Sequence, residues 1–219
     1  MGSEVAKNRF DSPSPPPPSK NVFIVDDDTR ICRFLEEFLG SRGYDVATYC
    51  TGEAFLQDVT PHSRGCLVLD ILLSGISGLE LQERMNRLGI HIPVIILSAR
   101  GSVSTTVRAM KNGAVACLEK PANLTEILTS VQEALLVEKE RRYETTLRES
   151  IMQTYRQLSH REKEVCDLLV KGLNNREIAA QLNMGLRTIE RDKQMVFRKT
   201  NVASVAELVK FYVKLDRKS

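Results

Sequence analysis

Four short apolar runs, each ending on a polar or charged tip, constrain this chain more than any other feature. Val22–Val25 runs into Asp26-Asp27-Asp28, and Cys66–Asp70 ends on Asp70 itself. Pro93–Leu97 meets Ser98, and Val115–Leu118 meets Glu119-Lys120-Pro121. The runs are strand-sized and almost continuously apolar, as strands are when both faces of a sheet are covered. A weaker strand, Asp45–Tyr49, makes five. Between them lie helical stretches: Thr29–Arg42 with Asp28 as N-cap and Gly43 beyond its end, Gly52–Val59, Gly78–Leu88 stopped by Gly89, Val103–Asn112 stopped by Gly113, and a helix starting near Asn123. Five β/α units predict an α/β fold, a doubly wound parallel sheet.

The remaining residues divide differently. Residues 1–20 contain Ser12-Pro13-Ser14-Pro15-Pro16-Pro17-Pro18-Ser19, which cannot pack a core and reads as a flexible or polyproline-II tail. No Gly or Pro interrupts Leu124–Leu158, so one long helix, or two with a soft joint, is expected. Its thin apolar stripe of Tyr143, Leu147, Ile151, Tyr155 and Leu158 suits either a seam between two chains or a face laid on its own domains. Residues 159–216 read as four helices. Ser159-His160-Arg161-Glu162 is a capping box for a helix through Lys171 that Gly172 ends, and Asn174 or Asn175 caps Arg176–Leu182. A tight turn through Asn183-Met184-Gly185 leads to Arg187–Thr200, and a last helix spans Val205–Leu215.

Charge separates the two parts. Residues 21–122 hold 10 basic and 12 acidic residues, whereas 158–219 hold 13 and 8, a basic end suited to a polyanion. No apolar run reaches the ~18–20 residues that a membrane span needs. No apolar segment of the secretory kind opens the chain, so a cytoplasmic protein is expected. The five cysteines, Cys32, Cys50, Cys66, Cys117 and Cys166, form no C-x-x-C pair and read as free thiols in a reducing compartment. His62, His91 and His160 are too scattered to build a zinc site with them.

In a parallel α/β sheet, ligands bind outside the carboxyl ends of the strands. There the acidic triplet, Asp70, Ser98 and Lys120 converge on one crevice. Carboxylates packed together repel, and a divalent cation with oxygen ligands relieves the repulsion. An acidic cluster with one ammonium and one hydroxyl suits phosphoryl transfer, with Asp70 at the central strand's tip as nucleophile. Taken singly, an Asp triplet after a strand is often a solvated loop or a helix cap, and a lone Lys-Pro carries no meaning. The four features on the right strand ends, in order, favour the functional reading. A flavin site would need a phosphate-cradling glycine loop after strand one, where three aspartates stand.

These pieces resemble the receiver domain of two-component response regulators. Val25-Asp26-Asp27-Asp28, Leu69-Asp70, Leu97-Ser98-Ala99 and Glu119-Lys120-Pro121 look like its acid pair, phosphoacceptor, hydroxyl and lysine, and Ala109-Met110-Lys111-Asn112-Gly113-Ala114 looks like the FixJ branch. The resemblance covers roughly residues 21–136. It implies a flavodoxin-like sheet of order 2-1-3-4-5. It also implies Mg²⁺ (or Mn²⁺) on Asp27, Asp70 and the backbone carbonyl of Leu72, with Asp26 acting through water. Asp70 would accept the phosphoryl group, Ser98 and Lys120 would stabilise it, and a sensor histidine kinase would donate it. Two positions depart from the pattern. Cys117 stands where receivers carry an aromatic switch residue alongside Ser98, and Ser74 stands where they usually carry Pro. The relay from phosphate to the Val103–Leu118 face is therefore the weak point of the resemblance.

At the basic end, Arg176–Leu182, a turn and Arg187–Thr200 make a helix-turn-helix pattern. Ile178, Leu182, Ile189, Val196, Ala206, Leu208 and Val209 are the expected core. Arg187, Thr188, Glu190, Arg191, Gln194, Arg198 and Lys199 are the expected outer face. Arg can pair with guanine, Gln with adenine and Glu with cytosine, although a charged face on an isolated helix is more often only solvated. Leu158-Ser159-His160-Arg161-Glu162-Lys163-Glu164-Val165, Gly172-Leu173-Asn174-Asn175-Arg176-Glu177-Ile178-Ala179 and Thr188-Ile189-Glu190 resemble the LuxR-type (NarL/FixJ) DNA-binding domain over residues 158–215. That resemblance implies Glu190, Arg191 and Gln194 as base readers, with Thr188, Arg198, Lys199 and Lys171 on phosphates. Here too the pattern breaks twice: Gly185 replaces a capping Ser, and Asp192 replaces a usual His.

Together the resemblances imply a tail (1–20), a receiver (21–136), a helical linker (137–157) and an all-α DNA-binding domain (158–219). The implied protein is a cytoplasmic transcription factor. It takes a phosphoryl group from its kinase, dimerises on phosphorylation, binds promoter DNA and, with RNA polymerase, activates transcription. It has no membrane partner and no enzymatic turnover beyond Mg²⁺-dependent self-phosphorylation and slow autodephosphorylation. Two other readings compete. One is a regulator that binds DNA without phosphorylation, favoured by Cys117 and Ser74. The other is a metal-dependent phosphatase, which would need a second acid where Leu72 stands.

Overall fold

The computed structural model describes Pro17, residues 19–99 and residues 103–216. The Pro-rich stretch lies outside the described residues except for Pro17, Ser19 and Lys20. Pro17 is held, since Arg142 Nη2 donates to its carbonyl at 2.6 Å.

The first unit alternates strand and helix: β1 (Asn21–Val25), α1 (Thr29–Gly40), β2 (Asp45–Tyr49), α2 (Gly52–Asp58), β3 (Cys66–Asp70), α3 (Gly78–Arg87), β4 (Val94–Ser98), α4 (Val103–Lys111) and β5 (Ala114–Glu119). All five strands are parallel, in the order β2-β1-β3-β4-β5. The period of two along each strand sends alternate side chains to opposite faces. Val25, Leu67, Leu69, Val94 and Ile96 pack with Phe55, Leu81, Met85 and Ala109 of α2, α3 and α4. Val22, Ile24, Cys66, Val68, Ile95 and Leu97 pack on the opposite face, with Leu35 and Leu39 of α1 and with Ile127 and Val131 of α5 (Leu124–Arg156). Covering on both faces explains why β3 and β4 are buried along their whole length and carry almost no polar residue. The helices end slightly earlier than their glycines suggest. Those glycines lie two or three residues on, with positive φ at Gly43 (+83°) and Gly172 (+90°).

The unbroken pattern from Leu124 gives one continuous helix of 33 residues. Its early turns contribute to the first unit, which closes at Arg142. Its last turns belong to the second unit, where Ile151 is buried with Leu147 and Tyr155 packed beside it. Four of the five stripe residues, Leu147, Ile151, Tyr155 and Leu158, thus form a face laid on the chain's own core.

The second unit adds α6 (His160–Val170), α7 (Asn175–Gln181), α8 (Leu186–Thr200) and α9 (Val205–Asp216). Ser159 and Glu162 form the predicted capping box, and Asn174, not Asn175, caps α7 through a second box with Glu177. Ile178, Ile189, Val196 and Leu208 are buried together, with Leu182 packed beside them. Ala206 departs from expectation and is exposed, and Val209 is only half-buried. The inward stripe of α9 is Leu208, Phe211, Tyr212 and Leu215, at helical spacing, and Ala206 falls off it. Among the described residues no helix is long and apolar enough to cross a membrane.

Candidate functional site

The carboxyl ends of β1, β3, β4 and β5 gather the predicted cluster. Its acidic triplet divides into three roles. Asp28 is structural: its carboxylate caps α1 by accepting from Arg30 N, and its ion pair with Arg30 holds its pKa down at about 2. Asp26 is buried, and its Oδ1 accepts from Asp28 N at 2.9 Å. Asp27 is exposed. One oxygen each of Asp26, Asp27 and Asp70 lies within 4.8 Å of the others.

Asp70 ends β3 and is 8% exposed. Its Oδ1 accepts from Leu72 N at 3.1 Å. The turn that follows it depends on Gly78, whose N–H donates to Ile71 O at 3.0 Å. A Cβ at residue 78 would stand 2.2 Å from the Asp70 carbonyl oxygen, so only glycine lets α3 start this close to the strand.

Lys120 binds the cluster together. Its Nζ donates to Asp26 Oδ2 at 2.6 Å and to Asp70 Oδ2 at 2.7 Å. Burial works against its charge, but the two carboxylates outweigh that and hold its pKa above the ordinary lysine value. For Asp26 the balance falls the other way: burial raises its carboxyl pKa despite the Lys120 and Asp28 bonds. Lys120 N also donates to Ser98 O at 2.8 Å, which fixes the end of β5 against the end of β4, where Ser98 is buried. The Lys120–Pro121 peptide is cis. Cys117 sits half-buried in β5 opposite Ile96, against the core on the α2–α4 side, and burial pushes its thiol up.

One feature of the cluster is invisible in the motifs. Ser74 donates to Asp27 Oδ2 through both its backbone N–H (3.2 Å) and its hydroxyl (2.7 Å). Its departure from proline could be seen in the sequence, but its partner could not.

In the second unit, α8 carries a polar face. Arg187, Glu190, Arg191, Gln194 and Arg198 are exposed, and Thr188 is half-buried. Lys171 is exposed at the end of α6. Lys199 does not stand with them as a free cation. Its Nζ lies 2.6 Å from Glu162 Oε2 and donates to Gln157 O at 3.3 Å. Asp192 is 3% exposed and faces inward to Arg161 of α6, with Nη2 donating to Oδ1 at 3.0 Å and Nε 2.6 Å from Oδ2. The sequence motifs do not single out Arg161 for this role. Gly185 caps α8 with no side-chain hydrogen bond, as expected from the missing Ser.

Residues 22–132 match the family of response regulator receiver domains, and residues 156–212 match the luxR family of bacterial regulatory proteins. The transcriptional regulatory protein FixJ of Azorhizobium caulinodans is 37% identical over 89% of this chain and 92% of its own length. Nodulation protein W of Bradyrhizobium diazoefficiens is 36% identical over 86% of this chain and 83% of its own. Among solved structures, the response regulator StyR superposes with a TM-score of 0.80 at 36% identity, covering 89% of this chain and 98% of that one. The chain belongs to the response regulators, with a receiver domain followed by a LuxR-family DNA-binding domain.

Proposed function

We propose that this response regulator is a cytoplasmic transcription factor switched by phosphorylation of Asp70. One observation carries the reading: a buried carboxylate at the tip of the central strand, gripped by Lys120 and set within 4.8 Å of two further carboxylates. We take 1–20 as tail, 21–136 as receiver, 137–157 as linker and 158–219 as DNA-binding domain.

The donor set fits a hard divalent cation, because three carboxylates converge there without a thiol or imidazole in the group. Asp27, Asp70 and the Leu72 carbonyl would hold Mg²⁺ or Mn²⁺, with Asp26 through water. When bound, such an ion neutralises charge on phosphoryl oxygens. The chain's own residues do the rest. An Asp70 carboxylate oxygen attacks the phosphorus of the kinase's phosphohistidine. The new P–O bond forms as the P–N bond breaks, and its electron pair leaves with the imidazole. The Lys120 ammonium and the Ser98 hydroxyl then serve the phosphoryl oxygens, and Asp26 keeps Lys120 in place. Ser98 and Cys117 carry the change toward α4 and β5.

On the DNA side, α8 lies in the major groove, with Glu190, Arg191 and Gln194 at base edges. Arg187, Thr188, Arg198 and Lys171 hold phosphates. Two copies on two half-sites give the affinity that one small module lacks, and the dimer recruits RNA polymerase. The protein regulates and does not turn over substrate, apart from self-phosphorylation and its slow reversal.

The test is intact-mass analysis after incubation with Mg²⁺ and a small acyl-phosphate donor, on wild type and Asp70→Asn, with light scattering on the same samples. A single phosphoryl adduct lost in the variant, with a shift to dimer, is the expected result. An adduct without dimers would place the failure in the relay through Cys117. No adduct would make phosphate-independent DNA binding the better reading.

A further inference from the structure

Ser74 directs two donors at one oxygen of Asp27, and this arrangement bears on how the acid cluster holds a cation. Asp26 and Asp70 are fixed by Lys120, by Asp28 N and by Leu72 N. Asp27 is exposed and has no bond to Lys120 among those the described residues make. An exposed aspartate rotates about its side-chain torsions, and fixing it for a ligand costs entropy. Here the backbone N–H and hydroxyl of one residue meet Oδ2 together, which sets both the position and the plane of the carboxylate. Among the described residues Oδ1 accepts no hydrogen bond.

The loop that carries Ser74 is anchored on its other side. Glu53 Oε1 of α2 accepts from Ile76 N at 3.3 Å. Gly75, with φ at +95°, passes so close to Glu53 that a Cβ would stand 3.0 Å from Oε1. Ser74 therefore acts from a braced segment. It is also uncharged, so its donors orient Asp27 without substituting for the positive charge the cluster needs. A proline at this position would offer neither an N–H nor a hydroxyl.

We propose that Ser74 is a positioning residue for the divalent cation: by holding Asp27 Oδ2 it presents Oδ1 in a fixed place and tightens Mg²⁺ binding. Partners that orient a ligand in this way typically govern metal affinity by ~10–100-fold, and exposure puts this one at or below the low end of that range. The inference rests on reading the acid cluster as the cation site.

The experiment is calorimetric titration of the full chain with MgCl₂ and with MnCl₂, on wild type, S74A, S74T, S74P and D27N. S74A is expected to bind about threefold to tenfold more weakly than wild type, and S74P, which loses both donors, more weakly still. S74T keeps the hydroxyl and the N–H, so it is expected within about twofold of wild type. Ser74 is exposed, so the ion-free melting temperature of S74A is expected to equal that of wild type. Unchanged or tighter binding by both S74A and S74P would overturn the proposal while leaving the site intact. S74T as weak as S74A would overturn it as well. Wild type without Mg²⁺ binding, or D27N binding as wild type does, would instead overturn the assignment of the cation site, and this inference with it.

Discussion

The Arg161 guanidinium of α6 closes on the Asp192 carboxylate of α8, with Nε 2.6 Å from Oδ2 and Nη2 3.0 Å from Oδ1. Asp192 is buried and the Arg161 side chain is 42% exposed, so the pair sits at the edge of the second unit's core. Removing Arg161 leaves a buried carboxylate with only the exposed Arg191, whose Nε is 4.0 Å from Oδ1. Arg161→Ala is expected to destabilise the second unit by about 1–3 kcal/mol, below the cost of a fully buried pair because water reaches the arginine. Asp192→Asn, which leaves no buried charge, is expected to cost less. Urea unfolding of both variants measures the difference. An Arg161→Ala protein as stable as wild type would mean that the pair contributes nothing.

Gly78 limits how α3 can begin. Its ideal Cβ would lie 2.2 Å from Asp70 O and 2.9 Å from Ile71 Cα, both backbone atoms that cannot swing aside. Gly78→Ala is expected to destabilise the receiver by about 2 kcal/mol or more. It is also expected to slow acyl-phosphate labelling of Asp70, because the strand end must shift. Melting temperature and adduct yield should fall together, and a normal yield in a destabilised protein would separate the turn from the chemistry.

The residues that the motifs announced share one property. Asp26, Asp70, Ser98 and Lys120 lie at or just past strand ends in a parallel sheet, and that placement is enough to bring them together. Arg161 and Asp192 lie 31 residues apart on different helices, and no local periodicity sets the crossing of α6 and α8 that joins them. The role of Ser74 depends on loop torsions, so the sequence marks the position without naming its partner. Ala206 falls outside the core for a simpler reason. It is apolar, but the stripe of α9 runs through Leu208, Phe211, Tyr212 and Leu215.

Buried thiols set an alkaline limit on the fold. Burial pushes Cys66 and Cys166 up to about 12 and Cys32 up to about 11, from an ordinary value of 9.0. In the unfolded chain these thiols ionise near 9.0, whereas in the folded chain they keep their protons. The native state thus binds more protons, and stability is full below that value and falls as the pH rises toward 11 and 12. The slope is about 1.4 kcal/mol per pH unit for each thiol. Cys166→Ala is expected to lower stability at neutral pH and yet flatten this decline. Urea midpoints from neutral pH to about pH 10.5 test it, and an unchanged slope would show that Cys166 does not contribute.

Lys199 and Arg187 both count as cations of the basic unit, but of the two only Lys199 is held in an ion pair among those the described residues make. Lys199 Nζ is 2.6 Å from Glu162 Oε2. Burial raises the Glu162 carboxyl pKa, but bonds from Lys199 and from Ser159 outweigh it and hold the net pKa below the ordinary value. That pair links α6 to α8, so Lys199→Ala leaves a 6% exposed carboxylate without its cation. Arg187 is exposed and takes part in none of the ion pairs among the described residues. Each phosphate contact adds close to one unit to the dependence of log affinity on log salt. Arg187→Ala is therefore expected to reduce that slope by about one on nonspecific duplex DNA. Lys199→Ala is expected to leave the slope unchanged and to lower the melting temperature instead. Fluorescence anisotropy across a KCl series reads the first effect and thermal unfolding the second. A loss of slope in Lys199→Ala equal to that in Arg187→Ala would return Lys199 to the phosphate-binding face and make its pairing with Glu162 a feature of the free protein alone.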